Sequence, residues 1–363
     1  MTTLRDIFTA FAPEYLERSP PLPTAHRQVL SAIQHCRSGS YGHSLYQCPH
    51  CERQHRVNHS CGNRHCPQCQ QHTTQQWLQP HLAPQLPGPH CLLTFTVPET
   101  LRPCIRSQQR LAYPALLQAS ATALKRLAHD ERFLGPDLPG FTGVLHTWGR
   151  QLQYHPHLHD LVPGGGLSKD RTGWLPSRAN FFVPVKALAP ISRALFKEAM
   201  QHAGLLEHSD PQVWTIPWNV HSQAQHHGYA AFTSLAPYVF NVAISNRRIV
   251  GLMDRPVPCT SRKVGTTRLR TPQLDVLALL RRFLPHVLPE GLVKVRHFGW
   301  LHASCAVPLA TSRLMRGQGH PREDRPPRRT PPPPRVGHCP TWGVPMHVIM
   351  RVWTSPKAFA ETS

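Results

Sequence analysis

The sequence is short of acid: 19 Asp and Glu stand against 40 Lys and Arg in 363 residues, giving a formal charge of +21 and a pI near 10.3. An imbalance of that size exceeds what solubility requires. It suits a polyanionic partner, because neutralising phosphates releases their counterions. An RNA-associated protein, or a basic surface with no particular target, fits the same charge. Also missing is any run of about 18 apolar residues, so a membrane-spanning helix is not expected. The first twenty residues carry Arg5, Asp6 and Glu14 where a signal peptide needs an unbroken apolar core. Cytoplasmic residence, with association to the nucleoid and none to membrane, is the expectation. No internal repeat is visible.

Cysteine is plentiful but uneven. There are 11, an odd number, and six lie between Cys36 and Cys69 in a segment too poor in large apolar residues to fold on burial alone. In a reducing compartment such clustering reads as metal ligation and not as a disulfide framework. Cys48-Pro49-His50-Cys51 and Cys66-Pro67-Gln68-Cys69 are two C-x-x-C knuckles. Their spacing predicts four thiolates around one tetrahedral ion, and soft sulfur ligands select zinc. Cys36, His43, Cys61 and His65 are a complementary set for a second zinc, or else free thiols and solvated imidazoles, with His50, His55 and His59 competing for the same roles. Arg64, with Arg53 and Arg56, equips the module to contact DNA.

Beyond this module the pattern is mixed. Residues 1–30 have helical spacing and break at Pro20–Pro23. CLLTFTV from Cys91 reads as a strand ended by Pro98. Residues 110–134 read as a helix that Pro114 interrupts in its first turn, FTGVLHTWG and HPHLHDLVPGGG as a strand pair, 189–203 as a helix, 213–220 as a strand and Leu274–Val287 as a helix. The expected fold is α+β with a central sheet. Its expected divisions are a helical segment 1–30, a zinc-binding domain 31–85, a catalytic domain 86–312, and a tail 313–363 rich in Pro and Arg and without stable structure.

Tyr154-His155-Pro156-His157-Leu158-His159-Asp160 places three histidines at alternating positions. On a strand all three share a face while Leu158 points into the core. Two imidazoles on a rigid strand can hold a divalent ion with coordination positions left open, as metal-assisted phosphodiester cleavage requires. A histidine-rich strand edge is the plainer alternative, since the chain holds 26 histidines. Gly164 and Gly165 follow, where bare backbone can approach a DNA phosphate.

The stretch Leu145–Leu167, LHTWGRQLQYHPHLHDLVPGGGL, resembles the His-hydrophobic-His signature of rolling-circle (HUH) transposases, in particular the insertion sequence family numbered ninety-one. Cys36–Cys69 resembles that family's N-terminal zinc-binding domain, Leu235–Leu252 its tyrosine motif and Arg281–Gly299 its C-terminal core. The resemblance implies an HUH nuclease domain with a central antiparallel sheet, Mg or Mn on His157 and His159, and a tyrosine nucleophile, Tyr238. It implies as substrate single-stranded DNA at transposon ends, attacked to give a 5′-phosphotyrosyl link, with a host helicase as a candidate partner. The third metal ligand is His155, on the same strand face, or His146 from a neighbouring strand, with His155 preferred. Arg247 and Arg248 follow Tyr238 and are placed to clamp the backbone phosphate. A core aromatic is the plainer reading of Tyr238 taken alone. The chain departs from the family twice. Ser234 stands where the two-tyrosine version has its other tyrosine, and Trp342 stands where the terminal knuckle His338–Met346 needs its second cysteine, so that metal site is expected to be lost. A catalytically decayed, zinc-dependent protein that only binds element ends is the alternative function. Trp148, Trp174, Trp214 and Trp218 are candidate stacking platforms for bases.

Overall fold

Thr3 opens the first helix with a capping box. Its hydroxyl accepts from Asp6 N at 3.3 Å, and its own backbone N donates to the Asp6 carboxylate at 2.9 Å. The computed structural model describes residues 2–70, 89–130, 132, 138–168, 170, 173–177, 184–225, 242–252, 255–262, 269–305 and 337–355. The chain divides into two compact units, and both are discontinuous in sequence. One comprises Met1–Thr73, Val242–Val287 and Pro326–Ser363, the other Thr74–Asn241 and Leu288–Arg325. The linear division at residues 86 and 312 does not have this grouping.

The elements used below are, in chain order, α1 (Leu4–Arg18), α2 (Thr24–His35), β1 (Gly42–Gln47), β2 (Gln54–Asn58), β3 (His90–Thr96), α3 (Arg102–Ser107), α4 (Gln109–Ala128), β4 (Phe141–Trp148), β5 (Tyr154–Pro163), α5 (Val185–His202), β6 (Asn219–Gln225), α6 (Val276–Phe283), β7 (Val295–Phe298) and β8 (His347–Trp353).

In the first unit, α1 buries Leu4, Ile7, Phe8 and Tyr15, the i, i+3, i+4 stripe of an amphipathic helix. Phe8 meets Phe283 of α6 edge to face at 5.3 Å. Asp275 caps α6 by accepting from Leu277 N and Ala278 N. The helix then passes into a 3-10 turn, Leu284–His286, because Pro285 has no N–H to continue the ladder. An antiparallel sheet of order β8–β1–β2 completes the unit. Strand β8 falls in the stretch expected to be an unstructured tail. Every residue of it except Val352 is exposed, so it is held by its ladder to β1 and by little apolar burial.

The second unit is built on a five-stranded antiparallel sheet of order β7–β4–β5–β3–β6, which agrees with the α+β expectation. Helices α4 and α5 pack together over it, and Tyr113, Leu117, Leu145, Leu158, Val162 and Phe196 lie in the core. Helix α4 begins at Gln109 and runs through Pro114 without a break. The strand expected at 213–220 starts only at Asn219. Asp210 and Pro211 cap a 3-10 turn, Pro211–Trp214, and Trp214 and Trp218 are buried with their rings stacked 5.8 Å apart. Both indoles are therefore core and not stacking platforms.

Strand β5 is buried on both faces. Asp160 shares the core face with Leu158, and both its carboxylate oxygens are buried without a hydrogen-bond partner. Gly143, its cross-strand partner, leaves the room it needs: a Cβ there would lie 2.8 Å from Asp160 Oδ1. Burial pushes the Asp160 carboxyl up to about 7, with nearby Ser120 pulling weakly the other way. The folded state thus keeps this proton at pH values where the unfolded chain releases it, so stability is lost as pH rises toward and through 7. Replacing Asp160 by Asn should raise the melting temperature more at pH 8 than at pH 4, measured by circular dichroism; an equal gain at both would refute the buried-acid account.

Candidate functional site

Two groups of thiols converge in the first unit. Cys36, Cys61, Cys66 and Cys69 form one and Cys48, Cys51 and Cys339 the other, with all sulfurs of a group within 4.8 Å of one another. This differs from the expected ligand set: the sulfurs of the two knuckles lie in separate groups. The β1–β2 hairpin separates them. Cys48 and Cys51 sit in its turn, whereas Cys61, Cys66 and Cys69 follow its second strand and meet Cys36 at the end of α2. Neither His43 nor His65 belongs to a ligand group among the described residues.

The four-thiol group can be tested for zinc on its own geometry. Zinc–sulfur bonds of about 2.3 Å in a tetrahedron set sulfurs about 3.8 Å apart. The contacts Cys36–Cys69, Cys61–Cys69 and Cys66–Cys36 are 3.8, 3.6 and 3.6 Å, and all four cysteines are free of disulfides. Hydrogen bonds from Cys36, Cys61 and Cys66 drive the Cys69 thiol down, while Cys61 and Cys66 are pushed up, first by Cys36. Four sulfurs this close cannot all ionise unless a cation replaces their protons. The donor set fits zinc.

In the second unit three imidazoles meet. His146 on β4 stands directly opposite His157 on β5, and His159 pairs with Val144 and with Thr94 of β3. Opposite residues of an antiparallel pair share a face, so His146, His157 and His159 converge, buried, within 4.8 Å. His146 Nδ1 lies 3.0 Å from His157 Nε2, about the separation of adjacent octahedral ligands with bonds near 2.1 Å. His157 Nδ1–H donates to the His155 carbonyl at 2.7 Å, which fixes the tautomer that leaves Nε2 as ligand atom. Thr94 Oγ1 lies 3.2 Å from His159 Nδ1.

His155 is not in this group, a correction to the preferred third ligand. Pairing moves from His146↔His157 to Trp148↔Tyr154, so β5 carries one residue more than β4 across this step. Such a bulge forms where Pro156 cannot donate to the ladder; the His155 ring stays 4.9 Å from the His157 ring but does not join the three mutually close ligand atoms. Burial lowers His157 to about 4 and His159 to about 3. Both are neutral at pH 7 and able to ligate a metal. Trp148 packs on His146 at 3.8 Å, and Lys294, which sequence reasoning did not single out, stands 5.1 Å from the Trp148 ring centre.

The remaining expected site residues fare differently. Gly164 and Gly165 are buried, and a Cβ on them would meet Pro89 O at 2.9 Å and Leu175 O at 2.5 Å. Their bare backbone serves protein packing and not a DNA phosphate. Arg248 donates its Nε–H to Thr260 O at 2.9 Å and is half-buried, while Arg247 and Arg64 are exposed. Tyr238 and Ser234 lie outside the described residues. No described helix is long and apolar enough to cross a membrane.

The family model described as "Transposase zinc-binding domain" matches residues 7–97, and the one described as "Putative transposase" matches residues 140–308. The first covers the four-thiol group, and the second covers all three imidazoles. The chain is 34% identical over 318 residues to "Putative transposase y4qJ" of Sinorhizobium fredii (strain NBRC 101917 / NGR234), covering 82% of this chain and 79% of that protein. It is 26% identical over 282 residues to "Transposase for insertion sequence element IS801" of Pseudomonas savastanoi pv. phaseolicola, covering 70% of this chain and 64% of that one. No solved structure matches. The geometry predicts that His146→Ala weakens Mn2+ binding in calorimetric titration by at least about tenfold, the loss typical even of an outer-shell partner. His155→Ala should leave it nearly unchanged, and the reverse order would restore His155 as the ligand.

Proposed function

The chain belongs to the IS91-type family of transposases with an N-terminal zinc-binding domain, and on that premise we propose that it cuts and rejoins single-stranded DNA at the ends of an insertion sequence. The observation that carries this reading is the convergence of buried His146, His157 and His159 on one face of an antiparallel sheet, with His157 and His159 held neutral by burial. We read that sheet as an HUH nuclease domain. The three imidazoles are the residues to hold Mg2+ or Mn2+, and nitrogen donors favour Mn2+, since Mg2+ prefers an all-oxygen shell. The bound ion supplies Lewis-acid polarisation of a phosphoryl oxygen.

Tyr238 is the proposed nucleophile. Its phenol oxygen bonds to phosphorus, the P–O3′ bond breaks, and the phenol proton ends on the released 3′-hydroxyl. The 5′-phosphate stays on the tyrosine, so the phosphodiester energy is kept for attack by a new 3′-hydroxyl. With Ser234 at the other motif position, one tyrosine serves both steps. Arg247 and Arg64, both exposed, are proposed phosphate contacts. Trp148 and Lys294 beside His146 offer a stacking face and a charge to a single strand. Cys36, Cys61, Cys66 and Cys69 hold a structural zinc.

Purified protein, Mn2+ and a single-stranded oligonucleotide carrying the element end should give a covalent adduct on a denaturing gel. Tyr238→Phe should abolish the adduct and keep oligonucleotide binding, and the double variant His157→Ala, His159→Ala should behave alike. An adduct that survives in Tyr238→Phe refutes the nucleophile. Tight binding by the unaltered chain without any adduct would instead make it a zinc-dependent DNA-binding protein.

A further inference from the structure

Cys339 was expected to belong to a ruined knuckle, yet its backbone repeats the turn at Cys48 bond for bond. Cys48 N donates to Arg53 O at 3.0 Å, and Glu52 N donates to Cys48 O at 2.9 Å. Cys339 N donates to Val344 O at 2.8 Å, and Gly343 N donates to Cys339 O at 2.7 Å. The fifth residue of each turn takes the left-handed conformation, Glu52 at φ 56° and Gly343 at φ 65°. Backbone N–H groups also aim at the first sulfur of each: His50 N lies 3.4 Å from Cys48 Sγ, and Thr341 and Trp342 donate to Cys339. These are two copies of one metal-binding turn. In the second copy Trp342 occupies the place of Cys51, and its exposed ring packs, tilted, against His50 at 4.2 Å.

The two turns face each other. Cys51 Sγ and Cys339 Sγ are 3.8 Å apart, the edge of a zinc–sulfur tetrahedron. No histidine or carboxylate joins the three sulfurs among the described residues. We propose that Cys48, Cys51 and Cys339 bind a second zinc through three thiolates, with water as fourth ligand, and that this ion fastens strand β8 to the β1–β2 hairpin. Zinc replaces the three thiol protons. The clasp matters because β8 has almost no buried side chain of its own. It does not depend on the nuclease reading.

Cobalt substitution of the full chain tests it, because sulfur-to-cobalt charge transfer reports only thiolate-bound metal and ignores the imidazole site. The unaltered chain should carry two sulfur-bound equivalents and Cys339→Ser one. Trp342→Cys should complete a four-thiolate shell and slow zinc release to a chelator from this site by at least about tenfold. Removal of the faster-released equivalent should open Arg351 in β8 to trypsin. One sulfur-bound equivalent in the unaltered chain, or two in Cys339→Ser, would overturn the proposal. If Cys339→Ser does not fold, an unchanged release rate in Trp342→Cys overturns it equally.

Discussion

The register between β4 and β5 is the constraint on which the candidate catalytic site depends. In a regular ladder His155 would follow His157 on the same face, opposite Trp148. The extra residue at His155–Pro156 breaks that regularity, and the His155 carbonyl accepts from His157 Nδ1–H. One irregularity therefore coincides with the absence of His155 from the ligand group and with the bond that fixes the His157 tautomer. The third member of the group comes from β4: His146, whose place opposite His157 follows from pairing alone. The central strand β5, buried on both sides, keeps His157 and His159 neutral and aligned, which is what a metal site asks of its donors.

The first unit solves a different problem. Its sheet buries little, and β2 and β8 are mostly exposed or half-exposed, so apolar burial offers weak support. The helices α1 and α6 have their own apolar core, but around the sheet the sulfur groups stand in place of one. Cys36 joins the end of α2 to the loop beyond the hairpin, and Cys339 joins residues far along the chain to the hairpin turn. Metal coordination is directional and strong enough to replace a small core, as in other small zinc domains. Buried Asp160 behind the histidine strand is the opposite case, a polar group held at a cost in a place otherwise apolar.

Much of this was legible before folding. The C-x-x-C spacing announced thiolate metal ligation, the alternation at His157 and His159 announced a shared strand face, and the capped amphipathic pattern of α1 announced its helix. These are local signals, carried by residues within one turn or one strand. The partner of each knuckle was not local. Cys48 and Cys66 have the same motif, and nothing in spacing says that one finds Cys36 and Cys61 while the other finds Cys339. The same holds for the glycines after the histidine strand, whose need for bare backbone was evident but whose close neighbour, Leu175 or Pro89 instead of a phosphate, was not.

By itself, then, the sequence determined the donor types, the charge, the family likeness and the short-range geometry of each motif, because these depend on side-chain chemistry and on periodicity along the chain. Tertiary structure alone decided which donors converge, which histidine stands with His157 and His159, and that Cys339 meets Cys48 and Cys51. Those outcomes turn on strand register and on contacts between residues distant in the chain, where a single inserted residue reverses the face a side chain presents.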